Sequence, residues 1–176
     1  EQKYFYHFHT MMKKSKFRDK FSFSGRNRRP PKDPINALLS FAYSLLTKEM
    51  VVAIFSSGLD PFLGFFHRPR YARPALALDL MEGFRPLIAD SVVLRVVNTG
   101  QIHPGHFRVH GSEGVSLTPQ GRKIFITAFE NRMQDTIRHP IFGYTISYRS
   151  VLAIHARLYG HFLNREFPEF PLFCTR

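Results

Sequence analysis

The chain has 176 residues, 44% of them hydrophobic, with 19 Phe, no Trp and a formal net charge of +12. That length supports one domain with an ample core, and a pI of about 10.3 selects polyanionic partners, nucleic acid first and an acidic membrane surface second. A single cysteine, Cys174, excludes a disulfide framework within the chain and fits a reducing cytoplasm, and the basic, aromatic N-terminus carries no apolar core of a secretory signal.

The charge is uneven. Residues 1–32 hold ten Lys or Arg against two acids, so a surplus of eight lies in under a fifth of the chain. Within residues 1–14, Tyr4, Phe5, Phe8, Met11 and Met12 fall on one helical stripe, the pattern of a packed helix. Because Glu1 is not a Met and lies inside that helical pattern, further sequence is expected before it.

Residues 15–34 form a basic, proline-rich loop, since Gly25, Pro30, Pro31 and Pro34 forbid regular structure through most of it. Arg26, Arg28 and Arg29 stand just before the Pro-Pro pair, basic groups on a stiffened backbone. They suit phosphate contacts, which the total charge favours over the alternative of a solvated connector.

Asp33-Pro34 is a helix start, with the Asp33 carboxylate placed to accept the Asn36 amide and Pro34 where no N–H is needed. The helix runs to about Ser56. Ala37, Leu38, Leu39, Phe41, Ala42, Leu45, Leu46, Met50, Val51, Ile54 and Phe55 cover nearly its whole circumference, which marks a central, buried helix. The span approaches membrane length, but Lys48, Glu49 and several hydroxyls favour the core of a soluble protein. Gly58 is the expected left-handed stop and Pro61 the breaker.

The stretch Gly64–Pro86 carries the densest chemistry. His67 leaves a loop containing Arg68, Arg70 and Arg73, and Asp79 and Glu82 follow three apart on a helix. An imidazole with two carboxylates can hold a divalent metal, and arginines beside it suit a phosphate-bearing substrate. The same residues also occur on ordinary solvated surfaces, so spacing alone leaves both readings open. Residues 76–98 read as helix with one interruption. Pro86 cannot donate to the Glu82 carbonyl, so a bend is expected beside the second acid.

Phe107–His110 and Gly114–Leu117 suggest a small hairpin. His103, His106 and His110 lie nearby, but no Cys accompanies them and their spacing matches no standard zinc module. Thr118-Pro119 starts a helix of about 119–137, and a last helix covers roughly 147–164, where His155 falls on an apolar stripe as a core histidine. The tail, residues 165–176, is aromatic and proline-rich and should lie extended on its own domain or on a partner. The expected fold is all-α, a helical bundle of five or six helices with one small β-hairpin. No Gly-rich phosphate loop and no Gly-x-Ser-x-Gly elbow occur.

Several blocks in order resemble one family. They are Gly25-Arg26 with Arg29-Pro30-Pro31 and Asp33–Phe41, Gly58–Pro61 with Leu63-Gly64-Phe65 and His67, and Leu78–Glu82 with Phe84–Leu87. Leu117-Thr118, Gly121-Arg122, Tyr148-Arg149, Pro168, Pro171 and Phe173 follow. The chain resembles the CRISPR-associated adaptation integrases, endonucleases that insert new spacers into CRISPR arrays, over nearly its whole length.

The resemblance implies a prokaryotic, cytoplasmic protein whose helical catalytic domain spans residues 1–176, without the family's N-terminal β-rich domain. It implies a homodimer, bridged to a second dimer by the small second CRISPR-associated protein, acting on double-stranded or branched DNA and not on membranes. It implies Mg²⁺ or Mn²⁺, held by a Glu, by His67 and by the acidic pair Asp79 and Glu82. The family's first Glu precedes a Tyr-Phe pair. Tyr4-Phe5 matches that pair and Glu1 stands too close to it, so the ligand is expected upstream. The chain alone is then expected to be weakly active or inactive. Two alternatives stay open: a catalytically silent truncated remnant that still binds DNA, and a basic helical nucleic-acid-binding module whose acids merely cap a helix.

Overall fold

The computed structural model describes residues 2–12, 21, 23, 25–27, 30–68, 70–111 and 114–174. The chain divides into two compact units, residues 1–43 with 89–131 and residues 44–88 with 132–176.

In the first unit, α1 (Gln2–Phe8) ends in a 3₁₀ turn, His9–Met11. Phe5, Phe8 and Met12 from the predicted stripe are buried. The long helix α2 (Pro34–Phe55) starts as Asp33 predicts: Asp33 Oδ1 accepts the Asn36 amide at 2.8 Å. Asn36 then gathers the preceding loop. Its Oδ1 accepts the Asn27 amide and Arg26 Nη1, and its Nδ2 donates to the Gly25 carbonyl. A buried amide with all these partners fixes one loop path, because leaving any of them unmade costs about 1–3 kcal/mol.

Ile35, Leu38, Leu39, Ala42, Leu46, Met50 and Ile54 are fully buried along α2. Their i, i+3, i+4 spacing is the core stripe, each of the large side chains stabilising by roughly 1.5–3 kcal/mol and Ala42 by less. Burial is not complete around the helix, since Val52 and Phe55 are exposed near its end. By length and apolarity alone α2 could cross a bilayer. Gly58, at φ +75°, ends the helix, with the Leu59 amide donating to the Ile54 carbonyl.

α3 (Ala75–Met81) passes without a break into a 3₁₀ turn, Glu82–Phe84, a π turn, Arg85–Asp90, and then α4 (Ser91–Asn98). The expected interruption at Pro86 is therefore a change of helical pitch on both sides of the proline. The missing N–H is absorbed by tightening before it and widening after it.

β1 (Phe107–Val109) pairs antiparallel with β2 (Val115–Leu117), Phe107 opposite Leu117. This is the predicted hairpin. Gly114 sits at φ +93° with its Cα against Pro30 and Pro31, so the hairpin packs on the proline pair. α5 (Pro119–Gln134) is capped by Thr118 Oγ1, which accepts the Gly121 amide at 3.1 Å. α5 ends three residues earlier than its periodicity suggests. Residues 136–138 form β3, which pairs with β4 (Thr145–Ser147) in a second hairpin that the sequence reading missed. The turn closes through the His139 amide on the Tyr144 carbonyl, with Gly143 at φ +73°. α6 (Tyr148–Leu163) starts at Ser147, whose Oγ accepts the Ser150 amide, and the chain then runs on without helix or strand to Cys174. Six α-helices and two short hairpins among the described residues make the fold all-α in class.

Candidate metal and phosphate site

The second unit holds the Gly64–Pro86 stretch. Pro61 caps the approach: its carbonyl accepts the Leu76 amide at 2.9 Å and so ties the loop to the start of α3. Gly64 then lies against α3 so closely that an added Cβ would stand 2.5 Å from Ala75 Cβ and 2.9 Å from Asp79 Oδ2. Only a residue without a side chain allows this approach.

The approach delivers three successive amides to one carboxylate. The Phe65 and Phe66 amides donate to Asp79 Oδ2 at 2.6 and 3.0 Å, and the His67 amide donates to Oδ1 at 3.0 Å. His67 Nδ1 lies 2.5 Å from the same Oδ1. Burial disfavours a charged Asp79, but the His67 ring and the three amides outweigh it and hold the carboxyl below the usual carboxylate range. An ionised carboxylate only accepts, so Nδ1 is the donor of the pair and Nε2 is the ring nitrogen not committed to Asp79. The Asp79 side chain is 4% exposed and that of His67 30%, so the acid lies beneath and the imidazole reaches solvent.

Glu82 sits just past the end of α3, in the 3₁₀ turn, with half its side chain exposed. Arg85 Nη1 donates to both its oxygens, at 3.0 and 2.8 Å. The structure thus pairs His67 with Asp79 and Glu82 with Arg85. Among the described residues no three His, Cys, Asp or Glu form a common metal-holding group.

Arg68 and Arg70 are exposed and Arg73 half-buried. Arg70 and Arg73 pair across a tight turn, the Arg73 amide on the Arg70 carbonyl, with Ala72 at φ +55°. Phe65, Phe66 and Tyr71 expose their rings on the same loop. Arg26, in the first unit, is engaged otherwise: Nη1 donates to Asn36 Oδ1 at 2.8 Å, Nη2 to Ser40 Oγ at 3.1 Å, and the guanidinium lies 5.4 Å from the Tyr43 ring centroid. Arg28 and Arg29 lie outside the described residues.

The histidines of residues 103–110 have structural partners. His103 Nδ1 accepts the Gly105 amide, His106 Nδ1 accepts the His103 amide, and His110 Nε2 meets Ser116 Oγ at 2.8 Å. His155 is buried against Phe84 and Phe170.

Three supports of the site escaped the sequence reading: Gly64, Arg85 and Arg132. Arg132 Nε and Nη2 donate to the Leu87 carbonyl at 3.1 and 2.6 Å and so grip the π turn. Arg85 could have been found, as the i+3 partner of Glu82.

A family model described as CRISPR associated protein Cas1 matches residues 1–131. The chain is 54% identical over 175 residues to a CRISPR-associated exonuclease Cas4/endonuclease Cas1 fusion of Geobacter sulfurreducens, covering 99% of this chain and 31% of that protein. It is similar in structure to a casposase bound to integration product, with a TM-score of 0.84 and 26% identity, over 96% of this chain and 49% of the casposase. A chain of a Cas6-RT-Cas1–Cas2 complex matches with a TM-score of 0.78 and 26% identity, over 98% of this chain and 18% of its own. The chain thus spans from under a fifth to about half the length of these three proteins.

Proposed function

The chain belongs to the Cas1 family of CRISPR-associated proteins, and on that premise we propose that it forms the helical part of the active site of a metal-dependent DNA endonuclease and integrase of spacer acquisition. The observation that carries the reading is the His67–Asp79 pair. A carboxylate that fixes one imidazole nitrogen leaves the other oriented outward as a donor, the usual support of a metal-binding histidine.

The donor types fit a hard divalent ion. His67 Nε2 and the Glu82 carboxylate would hold it, and Asp79 would orient His67 from beneath. When bound, Mg²⁺ or Mn²⁺ would supply charge stabilisation at a phosphoryl oxygen and at the departing oxygen. Arg85 holds the Glu82 carboxylate in place. Arg68, Arg70 and Arg73, with Arg28 and Arg29, would neutralise the phosphates of DNA and set its register without reading sequence. The reaction is transesterification: a DNA 3′-hydroxyl bonds to a phosphorus at a repeat edge as the existing 3′-oxygen leaves and takes up the proton. One P–O bond replaces another, so positioning and charge stabilisation are the protein's main contributions.

The names of the similar structures support DNA and Cas2, the small second CRISPR-associated protein, as partners. We extend this to a homodimer acting in a prokaryotic cytoplasm. A second reading, a chain that binds DNA without joining it, is favoured by the engagement of both Glu82 oxygens with Arg85.

Mn²⁺-dependent cleavage and joining of branched DNA by the polypeptide expressed from its own gene separates the two. Glu82→Ala should abolish the joined product and leave DNA affinity within about twofold. An unchanged rate in Glu82→Ala would remove Glu82 from the site, and DNA binding without any product supports the second reading.

A further inference from the structure

The aromatic, proline-rich tail has no part in the site described above, yet it closes over the helical turn that carries Glu82. We propose that Phe173 is a positioning residue for Glu82, acting through Phe84. The inference rests on the reading that Glu82 belongs to the active site.

Glu82, Gly83 and Phe84 form a single 3₁₀ turn. Within the unbroken run from α3 to the π turn, this 3₁₀ stretch has the poorer hydrogen-bond geometry. Its closing hydrogen bond runs from the Arg85 amide to the Glu82 carbonyl. Glu82 projects to solvent, whereas Phe84 is 1% exposed, so Phe84 is the root by which the turn is held.

That root has two aromatic walls. The His155 ring meets Phe84 edge-on at 5.0 Å, and the Phe173 ring stacks on it at 5.3 Å with 27° between planes. Phe173 is itself buried and meets the His139 ring at 5.5 Å. One wall of the socket is therefore supplied by a residue at the far end of the chain. Without the Phe173 ring, Phe84 can shift into the space left and carry Glu82 with it. A displacement of about 1 Å at a reacting group can cost a hundredfold in rate.

The strap also provides its own control. Phe170, three residues earlier, packs against His155, Tyr159 and Phe162, at 4.8, 5.4 and 5.9 Å. It docks the strap on α6 and reaches Phe84 only at second hand, through the His155 ring.

The test compares Phe173→Ala, Phe173→Leu, Phe170→Ala and Glu82→Ala in the polypeptide expressed from its own gene. The readouts are amide hydrogen exchange at residues 82–85, melting temperature, and kcat and KM for branched DNA in Mn²⁺. Phe173→Ala should speed exchange of the Arg85 amide about tenfold and lower kcat about tenfold. Its KM for DNA should stay within about twofold. Phe173→Leu should recover most of both effects. Phe170→Ala, one ring further from Phe84, should lower the melting temperature comparably but change exchange at residues 82–85 and kcat by no more than about threefold.

Equal effects of Phe173→Ala and Phe170→Ala at residues 82–85 would overturn the proposal, because the strap would then act only on general stability. If Phe173→Ala does not fold, Phe173→Val, which also lacks a ring to stack on Phe84, takes its place in the comparison with Phe170→Ala. An unaltered kcat in Glu82→Ala would instead refute the active-site reading of Glu82, while the exchange data still decide whether Phe173 holds the turn.

Discussion

Asp79 lies beneath His67, Oδ1 2.5 Å from Nδ1, and three consecutive backbone amides converge on the same carboxylate. This one acid fixes both the loop that carries the imidazole and the tautomer of the imidazole itself.

Replacing Asp79 by Asn should therefore separate shape from charge. The amide side chain keeps the volume, but its NH₂ faces donors where the carboxylate accepted them. Joining activity should fall by about 10- to 100-fold, the usual cost of losing a ligand's orienting partner. Stability should fall by about 1–3 kcal/mol, the cost of a buried donor left unsatisfied. Urea unfolding and branched-DNA joining measured on the same preparation check both. A variant that loses stability but keeps full activity would show that Asp79 serves the loop alone.

Gly64→Ala should be damaging although the glycine has no left-handed backbone requirement. The added methyl would stand 2.5 Å from Ala75 Cβ. Overpacking of this kind costs about 1–3 kcal/mol, and here it pushes the Phe65–His67 amides off Asp79. Ala75→Gly removes the opposing methyl. The Ala75 carbonyl carbon, at 2.7 Å, and Asp79 Oδ2, at 2.9 Å, stay in the way, so the double variant Gly64→Ala/Ala75→Gly should recover little of the lost joining activity, and full recovery would show that the methyl contact alone matters.

Stability should also depend on pH through His155. Burial, with the His139 ring adding to it, pushes its pKa down to about 4. Above about pH 6.5 the ring is neutral whether the chain is folded or unfolded. As pH falls from there, the unfolded chain binds a proton that the folded chain refuses, and stability drops until about pH 4. The full loss is on the order of 3 kcal/mol. Denaturant melts at pH 7, 5.5 and 4 should show this slope. His155→Phe, which keeps a ring against Phe84 and Phe170, should flatten most of it. His139 and His106, also shifted down by burial, and Asp79, held low by its donors, should supply the remaining slope.

Features set by local chemistry were legible in the sequence. Asp33, Gly58 and Thr118 act within a turn of themselves, and Pro86 disturbs the helix around it whatever the rest of the chain does. Features set by distant partners were not. Ile137 continues the helical spacing of α5, yet its segment is a strand because residues 145–147 pair with it. The need for Gly64 comes from Ala75, which nothing in the neighbouring residues signals. Asp79 and Glu82 look equivalent at a spacing of three. One meets three loop amides and the other meets Arg85, so the loop's path decides their different surroundings.

The arginines make the same point and give the last prediction. Arg26 and Arg68 look alike in a basic sequence, but their surroundings differ. Arg26 donates to Asn27, Asn36 and Ser40 and lies on Tyr43, so its fork braces the start of α2. Arg68 and Arg70 are exposed on the loop beside His67. If a basic side chain touches a phosphate, removing it lowers the slope of log affinity against log salt by about one. Arg68→Gln and Arg70→Gln should each do so and barely move the melting temperature. Arg26→Gln should reverse the pattern: it loses bonds that carry charge, worth about 1.5–3 kcal/mol, and leaves the salt slope unchanged. Fluorescence anisotropy with a branched DNA between 50 and 200 mM salt measures the slope. A flat salt response of the unaltered chain would remove phosphate contact from the proposed function altogether.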